Sequence, residues 1–189
     1  MSSRSLRMTY NAPVILTFSL LALTALVVDM WTSKTIITPL FAATPYFRFW
    51  SPIDYVRLFS YIVIHADWTH FSSNFILILL LGPMLEEKYG SIMILVMMLI
   101  TAFATSIINV MFFTTGLVGA SGIVFLFIVL SSFANSREGE IPVTFLVVGA
   151  LFFSNEVMNA LANDNVSQFG HILGGVCGAG FGYCFRNRR

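Results

Sequence analysis

The residues best suited to chemistry are one serine, three histidines and an asparagine, all lying in or beside apolar stretches. Ser121 sits in Val118-Gly119-Ala120-Ser121-Gly122. Its neighbours lack bulk, so another helix or a substrate backbone can come close. A helix starting there would also turn unpaired amides toward a developing oxyanion. Taken alone, the same run also reads as helix packing through small residues. His171 lies in Gly170-His171-Ile172-Leu173-Gly174-Gly175, and glycines recur at 170, 174, 178 and 182. That stripe permits close helix contact, and His171 borders it, so its imidazole is expected to face protein rather than lipid. Beside a serine it would be the base that makes the hydroxyl a nucleophile. A bond to a backbone carbonyl is its other reading, although ionisable groups inside spans are functional candidates by default. No carboxylate has an obvious place as a third member, since Glu156 and Asp164 fall in the fifth apolar stretch and the loop after it. A Ser-His dyad is the economical arrangement.

His65, His70 and Asn74 are spaced by five and four. With a helix beginning near Trp68, His70 and Asn74 stand one turn apart on one face, offering an imidazole and an amide as donors. A polar cluster at headgroup level is the alternative. Zinc would need three or four converging ligands, and His65, Asp67, His70 and His171 match no metal-binding spacing, so neither a metal nor another cofactor is expected.

The elements that hold these residues must be membrane spans. Of 189 residues, 57% are hydrophobic and 10% charged, with 19 Phe and a mean hydropathy of +0.85; an ordinary soluble domain is about a quarter charged. Six apolar stretches occupy about 12–30, 68–85, 91–113, 117–134, 141–158 and 168–185. All are expected to be helices, because hydrocarbon makes every backbone amide and carbonyl find an internal partner. The expectation is one all-α membrane domain over residues 1–189, a six-helix bundle in the lipid bilayer. With 10 Lys+Arg against 9 Asp+Glu, scattered along the chain, nucleic acid is excluded as a partner. The first stretch is read as a retained span, since Asp29-Met30-Trp31 is a poor cleavage context. Cys177 and Cys184 stand two helical turns apart, too far for a disulfide. The long connection from Trp31 to Asp67, with Pro39, Pro45, Pro52 and many aromatics, reads as a structured element in the interface. Gly82 and Pro83 are expected to kink the second span.

With both termini cytoplasmic, the inner segments hold Arg4, Arg7, Lys88, Arg137, Arg186, Arg188 and Arg189, against Lys34, Arg48 and Arg57 outside. In that topology His70, Ser121 and His171 lie 15 or 16 residues before the inner charges Glu86, Arg137 and Arg186. Each then sits about 22 to 24 Å above the inner boundary, at one level near the outer face.

In combination and order, His65, His70 and Asn74, then Gly119-Ala120-Ser121-Gly122, then Gly170-His171 with its glycine-rich span, resemble the rhomboid intramembrane serine proteases. The resemblance covers roughly residues 56 to 183. Leu85-Glu86-Glu87-Lys88-Tyr89-Gly90 is similar to the family's pattern at that turn. It implies that Ser121 is the nucleophile and His171 the general base. The Ser121 amide, His70 and Asn74 would form the oxyanion hole, Gly119 would allow close backbone approach, and His65 would support the site's hydrogen-bonded, hydrated surroundings. Arg57 falls where the family has the arginine of a Trp-Arg pair, but Val56 replaces the tryptophan, which leaves the anchoring of the first loop open. Phe125 stands where relatives often place a tyrosine against the catalytic imidazole. The expected activity is hydrolysis of peptide bonds in or near transmembrane segments of membrane-protein substrates. A non-catalytic rhomboid-like protein that escorts membrane clients, or a small transporter, are the alternatives. The expected location is a bacterial cytoplasmic membrane.

Overall fold

A computed structural model describes residues 9–134, 140–161 and 168–185. Among them the chain forms eight α-helices: α1 Pro13–Trp31, α2 Ile37–Phe41, α3 Pro52–Ser60, α4 Trp68–Tyr89, α5 Ser91–Phe112, α6 Ser121–Ser132, α7 Val143–Leu161 and α8 Gln168–Phe185. A 3-10 turn, Tyr61–Val63, follows α3. Proline opens α1 and α3, where a missing N–H costs nothing. Asp67 caps α4, its carboxylate accepting from the His70 amide at 2.8 Å. Between α4 and α5, Gly90 takes φ 84°, a left-handed turn that separates two helices otherwise contiguous in sequence.

α1, α4 and α5 are long and apolar enough to cross a membrane. α6 is equally apolar but has only 12 residues, about 18 Å of helix. The expected span from 117 therefore starts four residues late, at Ser121. The Thr115 carbonyl, both backbone groups of Leu117 and the amides of Gly119 and Ala120 pair with other parts of the protein instead of within a helix, which is tolerable at membrane depth only inside protein. α6 lies at the centre, with Ile123, Leu126, Phe127 and Leu130 almost fully buried, and it packs on α4, α5, α7 and α8.

α4 runs on through Pro83 to Tyr89, beyond the expected 85. Gly82 lies at the contact with α1. A Cβ there would come within 2.8 Å of Ile15 Cδ1, so the glycine is what lets α1 lie against α4. The end of α4 is also where two other helix termini are satisfied. The buried Glu86 carboxylate accepts from the Val14 and Ile15 amides, 3.0 Å each, at the start of α1, which has no side-chain cap of its own. The Lys88 ammonium donates to the Phe133 and Ala134 carbonyls at the end of α6. An acid at an N-terminus and a cation at a C-terminus each oppose the helix dipole they meet. Arg4, Arg7, Arg137, Asp164, Arg186, Arg188 and Arg189 lie outside the described residues.

Candidate active site

The connection from α1 to α4 is a folded element. The Arg57 guanidinium gathers it, donating to the Asp54 carboxylate at 2.6 Å, the Leu40 carbonyl at 3.1 Å and the Pro39 carbonyl. Arg48 closes on the other side of Asp54 at 2.9 Å. The hydrogen bond from Arg48, with help from Arg57 and against desolvation, holds the Asp54 carboxyl down at about 2. Val56 points outward, 46% exposed. The first loop is thus tied through Arg57 to backbone, with no tryptophan at 56.

That element in turn clamps the strand of chain leading to Ser121. Leu117 pairs with Ala43 as an antiparallel bridge, its N–H at 2.9 Å from the Ala43 carbonyl and its carbonyl at 3.1 Å from the Ala43 N–H. The Gly119 amide donates to the Tyr61 carbonyl at 3.0 Å, and the Ala120 amide to His65 Nε2 at 3.2 Å. Asn109 on α5 donates to the Thr115 carbonyl at 2.7 Å. The amides of Gly119 and Ala120 are therefore committed, and Ser121 follows as the first residue of α6, half-buried.

His65 has both ring nitrogens engaged with backbone. Nε2 accepts from Ala120, so Nδ1 carries the proton and donates to the Val63 carbonyl at 3.2 Å. This removes it from any set of metal ligands. His65 lies between the 3-10 turn and α4, outside the spanning helices. Burial, with the His70 imidazole beside it, pushes its pKa from 6.5 down to about 4. The neutral ring is the stabilising form, so its contribution is full above about 6.5 and is lost as pH falls through about 4, about 3 kcal/mol in all. The unfolding midpoint is therefore expected to fall between pH 7 and pH 4.5, and His65→Gln, whose amide oxygen can still accept from Ala120 but does not titrate, is expected to flatten part of that slope. An identical slope in the variant would refute the assignment.

His70 and Asn74 stand one turn apart on α4, as the spacing predicts. The His70 ring lies over Gly119. A Cβ built on that glycine would meet Cε1 at 2.5 Å and Nε2 at 2.6 Å, and its φ of 108° excludes a side chain independently. The His70 and His65 rings are 5.1 Å apart. Asn74 is buried, and its Nδ2 finds no hydrogen-bond partner among the described residues. A buried amide donor left unpaired costs roughly 1 to 3 kcal/mol, which is unusual unless a ligand takes it up.

α8 approaches from the far side along its glycines. A Cβ on Gly174 would overlap the Gly122 carbonyl oxygen and lie 2.8 Å from its carbon. One on Gly178 would lie 2.7 Å from the Leu126 carbonyl, and one on Gly182 would enter the Phe133 ring. A Cβ on Gly122 would in turn meet the Gly170 carbonyl at 3.2 Å. Gly122 follows Ser121 and Gly170 precedes His171, so these two residues stand on facing turns of α6 and α8. Phe125, one turn below Ser121, packs its ring on His171 with centroids 4.5 Å apart.

In the polar first half of α4, Ser72 and Ser73 are bonded to the Thr69 and His70 carbonyls. Buried polar groups that the sequence analysis does not single out are on α5: Thr101, Thr105, Ser106 and Asn109. The hydroxyls of Thr101, Thr105 and Ser106 have no well-formed hydrogen bond among the described residues. Close by, the Tyr61 phenol donates to the Ala102 carbonyl at 3.2 Å. The signal available was the four-residue spacing of 101, 105 and 109, which puts polar groups on one face of an apolar helix.

No curated protein matches the chain. The family model of the rhomboid domain matches residues 52–188.

Proposed function

The chain belongs to the rhomboid family and is a multi-pass integral membrane protein, and from that premise we propose that it is an intramembrane serine endopeptidase with Ser121 and His171 as a catalytic dyad. The observation that carries the proposal is the close approach of α6 and α8 at Gly122, Gly170 and Gly174, with Phe125 steering the His171 ring. Ser121 Oγ attacks the scissile carbonyl while His171 takes its proton and later returns it to the departing amine. The oxyanion is held by the Ser121 amide, His70 and Asn74 Nδ2. Water then hydrolyses the acyl-enzyme, and the buried hydroxyls of α5 supply the polar partners that water needs in an apolar setting. The substrates are transmembrane segments of other membrane proteins that can unwind locally, because an intact helix presents no accessible amide. Both termini are cytoplasmic and the dyad lies toward the outer face, in a bacterial cytoplasmic membrane.

The test is labelling of the purified protein by a fluorophosphonate, which reacts only with an activated serine. Labelling confined to Ser121 supports the dyad; a folded protein that never labels would instead be a client-binding member of the family.

Asn74 permits a sharper test. Leucine is close in shape and has no unpaired donor, so Asn74→Leu is expected to leave thermal stability unchanged or raised. Turnover should fall by about 10- to 100-fold at unchanged KM. That is less than the 10²- to 10³-fold typical of one oxyanion donor, because two others remain. A raised KM at unchanged kcat would move Asn74 to substrate binding.

A further inference from the structure

With valine at 56, the loop between α1 and α4 is gathered by Arg57 without a tryptophan beside it, so the guanidinium must be held in one plane by something else. Asp54 supplies that hold. It is buried, it lies one turn before Arg57 on α3, and its carboxylate accepts four hydrogen bonds. One comes from Arg57 Nη1 at 2.6 Å, and three from the Arg48 amide, Nε and Nη2 at 3.1, 2.9 and 3.2 Å. A carboxylate offers about four acceptor sites, and here all are filled by donors of fixed direction. With Nη1 spent on Asp54, Arg57 turns Nε and Nη2 to the Leu40 and Pro39 carbonyls of α2. Arg48 is 53% exposed and adds little as an ion pair. Its part is to occupy Oδ2 and share Oδ1, which leaves Asp54 one orientation.

From α2 the hold passes to the backbone before Ser121. Phe41 ends α2, its carbonyl accepting from the Ser60 hydroxyl at 2.8 Å. Two residues on, Ala43 makes both hydrogen bonds of its pair with Leu117, four residues before Ser121. Tyr61, directly after α3, takes the Gly119 amide. The loop before Ser121 is thus fixed twice, at Gly119 by the turn after α3 and at Leu117 by way of α2. Only the second fixing depends on Arg57. On the reading that Ser121 is the nucleophile, we propose that Asp54 is a positioning residue for catalysis: by orienting Arg57 it sets α2 and, through the pair of Ala43 with Leu117, the backbone that presents Ser121. Arg48 assists it and does the work of the tryptophan that position 56 does not provide.

The test uses the full chain in detergent with Asp54→Asn, which keeps the shape and turns donors of its own toward the guanidinium groups. Its kcat for a transmembrane substrate is expected to fall about tenfold at unchanged KM, less than the roughly 100-fold of a 1 Å error at the reacting atoms, because the Gly119 bond remains. Amide hydrogen exchange, which needs no activity, should quicken in residues 115–121 and stay as in wild type in α4 and α5. A rescue separates positioning from folding. Ala43→Cys with Leu117→Cys puts thiols on a hydrogen-bonded pair, where Cα atoms are about 5.5 Å apart and a disulfide can close. Once oxidised, it should restore slow exchange and kcat to Asp54→Asn, and reductant should undo both. Wild-type kcat and exchange in Asp54→Asn, a raised KM at unchanged kcat, or a closed disulfide that restores neither property would each overturn the proposal. If wild type neither cleaves nor labels, the dyad reading alone fails, and exchange with its rescue still decides whether Asp54 holds the loop. Should Asp54→Asn not fold, Arg48→Gln keeps Arg57 paired and should give the same pattern with a smaller loss.

Discussion

If the proposed dyad is right, replacing Ser121 by alanine is expected to abolish cleavage of a transmembrane substrate, with a loss on the order of 10⁶ in kcat, the size seen when a serine protease is stripped of its nucleophile. The fold should be unaffected. Ser121 is the first residue of α6, its cap is Ala120, and the preceding loop is held by the amides of Leu117, Gly119 and Ala120 rather than by the serine hydroxyl. Alanine at that position keeps the backbone and loses only Oγ. Cleavage and thermal unfolding measured on the same purified variant separate the two effects. Cleavage at the wild-type rate would end the serine-protease reading, whereas an unfolded variant would mean that Oγ has a structural partner.

Gly174→Leu is the second large effect, and it involves no catalytic atom. The first carbon of any side chain at 174 would overlap the Gly122 carbonyl. Gly122 is backbone, one residue from Ser121, so no rotamer change relieves the clash, and α8 must move away from α6. A shift of about 1 Å between nucleophile and base costs on the order of 100-fold in rate. Overpacking should cost a further 1 to 3 kcal/mol of stability, roughly. Gly180→Leu is the matched control, since a Cβ there meets nothing within 4 Å. The expected result is loss of activity and a lowered unfolding midpoint for Gly174→Leu, with both near wild type for Gly180→Leu. Equal behaviour would separate the helix contact from the proposed dyad.

That α8 packs closely on a neighbouring helix was legible because glycine at 170, 174, 178 and 182 has one physical meaning in an apolar helix, a backbone approached by another backbone; that the neighbour is α6 only the structure shows. The His70-Asn74 face was legible because residues four apart share one face of a helix that begins near Trp68. The start of α6 was not. Leu117, Gly119 and Ala120 are as apolar as the helix they precede, and they stay out of it because of bonds to Ala43, Tyr61 and His65, residues 55 to 74 positions away. Hydropathy has no access to such partners. Nor does the presence of hydroxyls in an apolar helix reveal which are used. In α1, Ser19 and Thr24 bond back to the carbonyls of Ile15 and Leu20, which is the ordinary way to hide a hydroxyl. In α5, Thr101 and Thr105 do not, and only the folded protein distinguishes the two cases.

The bond between Glu86 and the start of α1 also dictates an order of events during synthesis. Val14 and Ile15 emerge from the ribosome 72 and 71 residues ahead of the carboxylate that accepts their amides. At about 5 to 20 residues per second, that is a wait of about 4 to 14 s. Through that interval α1 has only its own apolar surface to hold it in the bilayer, and neither Gly82 nor Glu86 has yet arrived to receive it. α1 is therefore inserted early and docked late, and its final position is set by the nascent chain that follows it.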